Sequence, residues 1–259
     1  MDFKGFTFVA KEGLKECPKH GQVMTPYLEY PDRVEWQMCP KCVEELEEEE
    51  RKKAGLQKDS ALREKWSLSN VKPKFFGKSF SDYKPETDSQ RNALALVKAI
   101  AEGSSKRSVI LAGNNGLGKT MLASLAVMQR GGYIYKMYEI IMRIKSSYKA
   151  SAREDEQDIL NELSKAPLLV IDEVGKQFGS ESERNWLSYV IDERYELDRP
   201  TILVSNLKPM RYCSEEEKSQ GAYLERYLGR DSVSRLAETA DIVFMEGRDW
   251  RRGIDTNCN

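Results

Sequence analysis

The sequence predicts an α/β fold: a three-layer domain built on a parallel sheet, preceded by a small metal-held module and a charged helical arm. Three observations carry this. From about Val71 onward, short apolar runs alternate with amphipathic stretches, the pattern of strands and crossover helices. One such run, Ser108 to Ala112, leads directly into Gly113-Asn114-Asn115-Gly116-Leu117-Gly118-Lys119-Thr120, a glycine turn of the form G-x-x-x-x-G-K-T. Near the start, Cys17-x-x-His20 and Cys39-x-x-Cys42 repeat one short hook with the spacing of a tetrahedral metal site.

The chain has 259 residues, enough for one good-sized domain and a smaller appendage. Its formal net charge of -1 gives no global field toward nucleic acid or an anionic membrane, so any nucleic-acid contact has to come from a local patch. Met1-Asp2-Phe3-Lys4 does not open an apolar leader, and no apolar run approaches membrane-spanning length. The expectation is a cytoplasmic protein with no membrane partner. Five cysteines in such a compartment stay reduced, and Cys213 and Cys258 are expected to be an ordinary thiol and a tail residue.

Residues 1–46 are expected to form the metal module. Cys17, His20, Cys39 and Cys42 supply four ligands with no open position, which predicts a structural zinc and no zinc chemistry. His20 is the only histidine in the chain. A segment this short buries little apolar surface unaided and needs such a staple. Residues 47–70, with Glu47-Glu48-Glu49-Glu50 ahead of Arg51-Lys52-Lys53, read as an exposed helical arm in which acid leads base, a bare linker being the plainer alternative. Beyond the two hooks there is no internal repeat.

Residues 71–259 form the α/β domain, with strands expected at Ser108 to Ala112, Tyr133 to Met137, Leu168 to Asp172, Thr201 to Ser205 and Asp241 to Met245. Ligands of parallel sheets gather at the carboxyl ends of the strands. In the glycine turn, Gly113, Gly116 and Gly118 let backbone N–H groups of Asn114, Asn115 and Leu117 face phosphate oxygens, and Met121 follows in the helix whose N-terminus faces the anion. Lys119 can reach β and γ oxygens of a nucleoside triphosphate, and Thr120 can place its hydroxyl on Mg²⁺. The run Leu168-Leu169-Val170-Ile171 is apolar enough to be buried on both faces and ends in Asp172-Glu173. Asp172 can complete the Mg²⁺ shell with Thr120, and Glu173 can orient and polarise an attacking water. Asn206 closes the next strand and is the candidate sensor of the γ-phosphate. Lys145 and Lys149 are expected to share a helix face, with Tyr148 beside them as an aromatic that could stack on a base, and Ile140, Ile141 and Ile144 packing inward.

These motifs in this order resemble the AAA+ ATPases, and more narrowly the DnaC-type helicase loaders, a branch shared with the IstB-type transposition helpers. The resemblance spans roughly residues 69 to 259. It is carried by Val71-Lys72-Pro73, Phe80-x-x-Tyr83, the glycine turn, Leu168 through Gly175, Arg199-Pro200-Thr201 leading to Asn206, and Leu228 through Leu236. It implies ATP hydrolysis stimulated by DNA, single-stranded DNA contacted by the stretch that holds Lys145, Tyr148 and Lys149, a replicative helicase as partner, and self-association into a hexamer or a spiral on that helicase. It also implies an arginine finger supplied in trans, best matched by Arg235 with Arg230 left open, and a second sensor best matched by Arg251. The zinc module departs from the loader pattern and leaves open whether it meets helicase or DNA. A transposition helper would share the whole core and act with a transposase. A small-molecule kinase would share only the glycine turn.

Overall fold

The computed structural model describes residues 8–177 and 179–250. The chain divides into two units, Met1–Leu62 and Arg63–Asn259.

In the first unit, β1 (Val9–Cys17) and β2 (Gly21–Glu29) form an antiparallel hairpin, and β3 (Val34–Trp36) adds to the far side of β2. The turn at Pro18 to His20 is the first metal hook, so the hairpin presents Cys17 and His20 at its tip. The second hook opens α1 (Pro40–Leu68). Cys39 accepts the first helical hydrogen bond from Val43, and Pro40 at the first helical position forfeits no needed N–H. The helix therefore begins seven residues ahead of the arm read from the sequence, because the metal hook itself supplies its first turn. No residue of α1 is buried.

The second unit carries a five-stranded parallel sheet of β4 (Ser108–Gly113), β5 (Tyr133–Lys136), β6 (Leu169–Val174), β7 (Thr201–Ser205) and β8 (Ala240–Met245), in the order β5-β6-β7-β4-β8. Successive side chains alternate between its faces. Val109, Leu111, Val170, Ile202, Val204 and Val243 join one core with α2 (Asp88–Glu102) and α3 (Lys119–Arg130). Ile110, Leu169, Ile171 and Leu203 join the other with α4 (Met137–Ser147), α5 (Glu156–Lys165), α6 (Glu181–Glu196) and α9 (Arg230–Thr239). Two short helices, α7 (Glu215–Ser219) and α8 (Glu225–Leu228), lie between β7 and α9. The expected three layers are present. Because β6, β7 and β4 are neighbours, the glycine turn, the acidic pair and Asn206 emerge side by side at one edge of the sheet.

Candidate nucleotide site and metal centre

The phosphate loop is held from three sides. Its floor is Tyr83, whose hydroxyl donates to the Leu117 carbonyl at 3.0 Å and whose ring lies against Gly118. A Cβ at Gly118 would sit 2.5 Å from the ring edge, and φ is +81° there, so glycine is required twice over. Burial pushes the Tyr83 phenol up to about 12, leaving it a donor across the working pH range. On a second side, the segment after β8 lies over the loop. The Trp250 amide donates to the Gly116 carbonyl at 3.3 Å, and Asp249 occupies the space where a Gly116 side chain would project. That segment is fixed in turn by α2, since Gln90 and Thr87 both donate to the Glu246 carbonyl, at 3.1 and 3.0 Å. On the third side, Asn206 Nδ2 donates to Asn115 Oδ1 at 2.9 Å, tying the end of β7 to the loop.

Within this frame Lys119 is buried and folded over its own loop, its Nζ donating to the carbonyls of Gly113 and Asn114 at 2.6 Å each. Thr120 Oγ1 donates to Asp172 Oδ2 at 2.9 Å, and Asp172 Oδ1 accepts the Glu173 amide at 2.8 Å. Asp172 is 5% exposed, so one carboxylate spans the helix start and the strand end in a sheltered position. This is the oxygen-rich donor set a Mg²⁺ ion takes up when it also binds phosphate oxygens. Glu173 departs from regular strand geometry. Its φ of +60° and the register shift between Ile171 and Val174 turn its side chain out of the strand. Burial pushes its carboxyl up, but Lys136 at 3.2 Å and Lys176 at 3.4 Å outweigh burial and hold it below the usual carboxylate range. Asn115 through Thr120, Asp172, Glu173, Lys176, Ser205 and Asn206 line one recess.

The structure therefore gathers Lys119, Thr120, Asp172, Glu173 and Asn206 around the loop. Lys136, Lys176 and Tyr83 also belong to the site and were missed as such, because each reaches it from a different element. Phe80-x-x-Tyr83 was legible only as a resemblance. Arg235 lies elsewhere: its Nε donates to Asp192 at 3.1 Å, its guanidinium sits 4.8 Å from the Tyr195 ring centre, and it does not line the recess. Arg230 opens the same helix. Arg251 falls outside the described residues.

The expected DNA segment differs in detail. Ile140, Ile141 and Ile144 are buried as expected. Helix α4 ends at Ser147, so Lys149 lies in the turn beyond it and regular helix spacing does not relate it to Lys145. The Tyr148 hydroxyl donates to Glu156 while the residue stays exposed, and Tyr138 and Met142 stand exposed one turn apart. Arg143 is spent internally, on Glu154 at 2.6 Å and Glu162 at 2.7 Å.

In the first unit, Cys17, His20, Cys39 and Cys42 place their donor atoms within 4.8 Å of one another. His20 Nδ1 lies 3.7, 3.7 and 3.3 Å from the three sulfurs of Cys17, Cys39 and Cys42, and Cys17 and Cys42 sulfurs are 3.6 Å apart. Zinc–sulfur bonds near 2.3 Å require tetrahedron edges of about 3.7 Å, so the four donors fit a zinc ion. Lys19 and His20 backbone amides help hold the Cys17 thiol down to about 6, while burial and then Cys17 push Cys42 up to about 11. A divalent cation at the centre removes that conflict. The other ring nitrogen, His20 Nε2, faces Glu45 Oε1 at 3.2 Å, and Lys19 pairs with the same carboxylate. Glu45 was not foreseen. It sits one helical turn past Cys42, a position with meaning only once α1 is known to start at the hook.

With this geometry in place, comparison with known proteins is informative. The family model described as IstB-like ATP binding protein matches residues 39–250. This chain belongs to that family. Among curated relatives, the replicative helicase loader DnaC of Escherichia coli (strain K12) is 30% identical over 152 residues, 56% of this chain and 62% of that protein. DnaC of Buchnera aphidicola subsp. Acyrthosiphon pisum (strain APS) is 28% identical over 206 residues, 71% of this chain and 83% of that protein. The IstB-like chain thus spans less than two thirds of its Escherichia coli relative. Among solved structures, a crystal structure of the DnaC helicase loader gives a TM-score of 0.55 at 23% identity, over 68% of this chain and 100% of that one. DnaA from Aquifex aeolicus bound to AMPPCP gives 0.53 at 19% identity, over 67% and 51%. The shared feature is the AAA+ fold. Among the described residues, no helix is long and apolar enough to cross a membrane.

Proposed function

We propose that this IstB-like protein is an ATP-dependent loader that binds a replicative DNA helicase and single-stranded DNA and delivers the helicase for replication. The observation that supports it most is the Thr120–Asp172 pair beside Glu173 and Asn206, an arrangement for hydrolysis and not merely for binding, on a core resembling DnaC.

Lys119 leaves the Gly113 and Asn114 carbonyls to meet the β and γ oxygens. Thr120 and Asp172 would hold Mg²⁺, which supplies neutralisation of charge on the phosphates. Asn206 holds the lytic water without adding charge, and Glu173, ionised through Lys136 and Lys176, accepts its proton. For that transfer the carboxylate has to leave the two lysines, so turnover in the isolated protein is slow and rises with partners. Arg235 of a neighbouring copy completes the pocket, with Arg251 as the second sensor. Lys145, Lys149 and the ring at Tyr148 contact single-stranded DNA, aided by exposed Tyr138 and Met142. The zinc module and charged arm bind the helicase, and hydrolysis releases the loader.

Native mass spectrometry of the protein mixed with a replicative helicase, with and without ATP, tests this reading. It predicts a nucleotide-dependent complex, and absence of any complex contradicts it. The family description favours one second reading, a transposition helper, which co-purification with a transposase would reveal.

A further inference from the structure

The register of the three-stranded sheet sorts its side chains onto two unlike faces. Residues opposed across an antiparallel ladder share a face. On one face, Gly13 opposes Thr25 and Tyr27 opposes Trp36, with Lys15 alongside. Its rings cover one another, while Val9 and Val34 at its edge stay exposed. The Trp36 and Tyr27 ring centres are 4.7 Å apart, the indole lies across Gly13, and Thr25 is buried. On the opposite face Leu14 pairs with Met24, Ala10 with Leu28, and Glu12 with Pro26. No described residue covers its centre: Leu14 is 66% exposed and Met24 50%.

Among the described residues of the sheet, the ionised groups of that second face are Glu12, Glu16 and Glu35. Glu35 bonds Arg33 in the preceding turn, whereas Glu12 and Glu16 have no ion-pair partner among the described residues. Carboxylates bordering an apolar pair repel nucleic-acid phosphates. A second copy placed face to face would set Glu12 and Glu16 against their own likenesses, which is unfavourable. What fits is an apolar ridge flanked by lysine or arginine.

We infer that the Leu14–Met24 face is a docking surface for a partner protein presenting an apolar segment bordered by basic side chains. The inference rests on the loader reading, under which that partner is the helicase. It also assigns the zinc module to protein and not to DNA.

The test measures helicase affinity of the full-length protein at rising salt. Leu14→Ser with Met24→Ser should weaken binding about tenfold or more, as expected for apolar anchors at an interface centre. Glu12→Lys with Glu16→Lys should do the same and reduce the salt dependence. Lys11→Ala with Lys15→Ala, on the other face, should leave affinity within about twofold. Retained zinc and nucleotide binding show that each variant is folded. If both face variants bind helicase as the unmodified protein does, the docking face is refuted while the loader reading stands. If the unmodified protein binds no helicase, the loader reading fails and the face loses its assigned partner. A self-associated species dissolved by Leu14→Ser would also overturn the inference.

Discussion

Gly118→Ala and Gly103→Ala form a matched pair that isolates the contact beneath the phosphate loop. Gly118 has φ +81° and ψ +10°, and Gly103 has φ +78° and ψ +6°. Both therefore carry the same left-handed cost on gaining a Cβ, about 1–2 kcal/mol. They differ in surroundings. At Gly103 the nearest atom to a new Cβ is the Arg130 guanidinium at 4.0 Å, whereas at Gly118 it is the Tyr83 ring at 2.5 Å. Tyr83 is buried and anchored on Leu117, so it cannot swing aside, and overpacking of this kind adds roughly 1–3 kcal/mol. Urea unfolding should show Gly103→Ala lower by about 1–2 kcal/mol and Gly118→Ala by about 2–5 kcal/mol. Titration with fluorescent ATP should find affinity preserved in the first and reduced about tenfold or more in the second, as the loop shifts off its floor. Equal stability losses with equal ATP affinity would refute the argument that Tyr83 shapes the loop.

Glu45→Gln should lower zinc affinity about 10–100-fold in a chelator competition, because the carboxylate facing His20 Nε2 fixes the ring with Nδ1 toward the sulfurs. Lys136→Met should move the acid limb of the ATPase pH profile upward. The sign follows from the depressed Glu173 pKa: in the unmodified protein the carboxylate persists as pH falls below the ordinary range near 4.5, and removing Lys136 leaves only Lys176 to oppose burial, so the carboxyl moves up. An unmoved limb would show that Lys136 does not set the charge of Glu173.

Much of the α/β unit was legible because parallel strands buried on both faces have to be apolar runs. Thr201 to Ser205 was read without error, and the other four strands within two residues. The strand read as ending at Asp172 continues to Val174, because a bulge with Glu173 at positive φ extends it in a way no apolar pattern encodes. The sheet of β1, β2 and β3 was not foreseen, since most of its residues face solvent on both sides and alternation of apolar and polar residues is lost. At the site, the residues within motifs were readable from spacing alone. Those that meet across the fold were not: Lys136 approaches Glu173 through strand pairing of β5 with β6, and Asp249 reaches Gly116 only after β8 has joined β4.

Whether Lys119 holds Mg²⁺-ATP and Glu173 acts as base in its cleavage is tested most directly by comparing labelled-ATP binding with phosphate release in Lys119→Ala and Glu173→Gln, with single-stranded DNA and helicase present. Lys119→Ala should lose binding and turnover together, whereas Glu173→Gln should keep binding and lose turnover. Phosphate release by Glu173→Gln at the unmodified rate, or undiminished ATP uptake by Lys119→Ala, would contradict these roles.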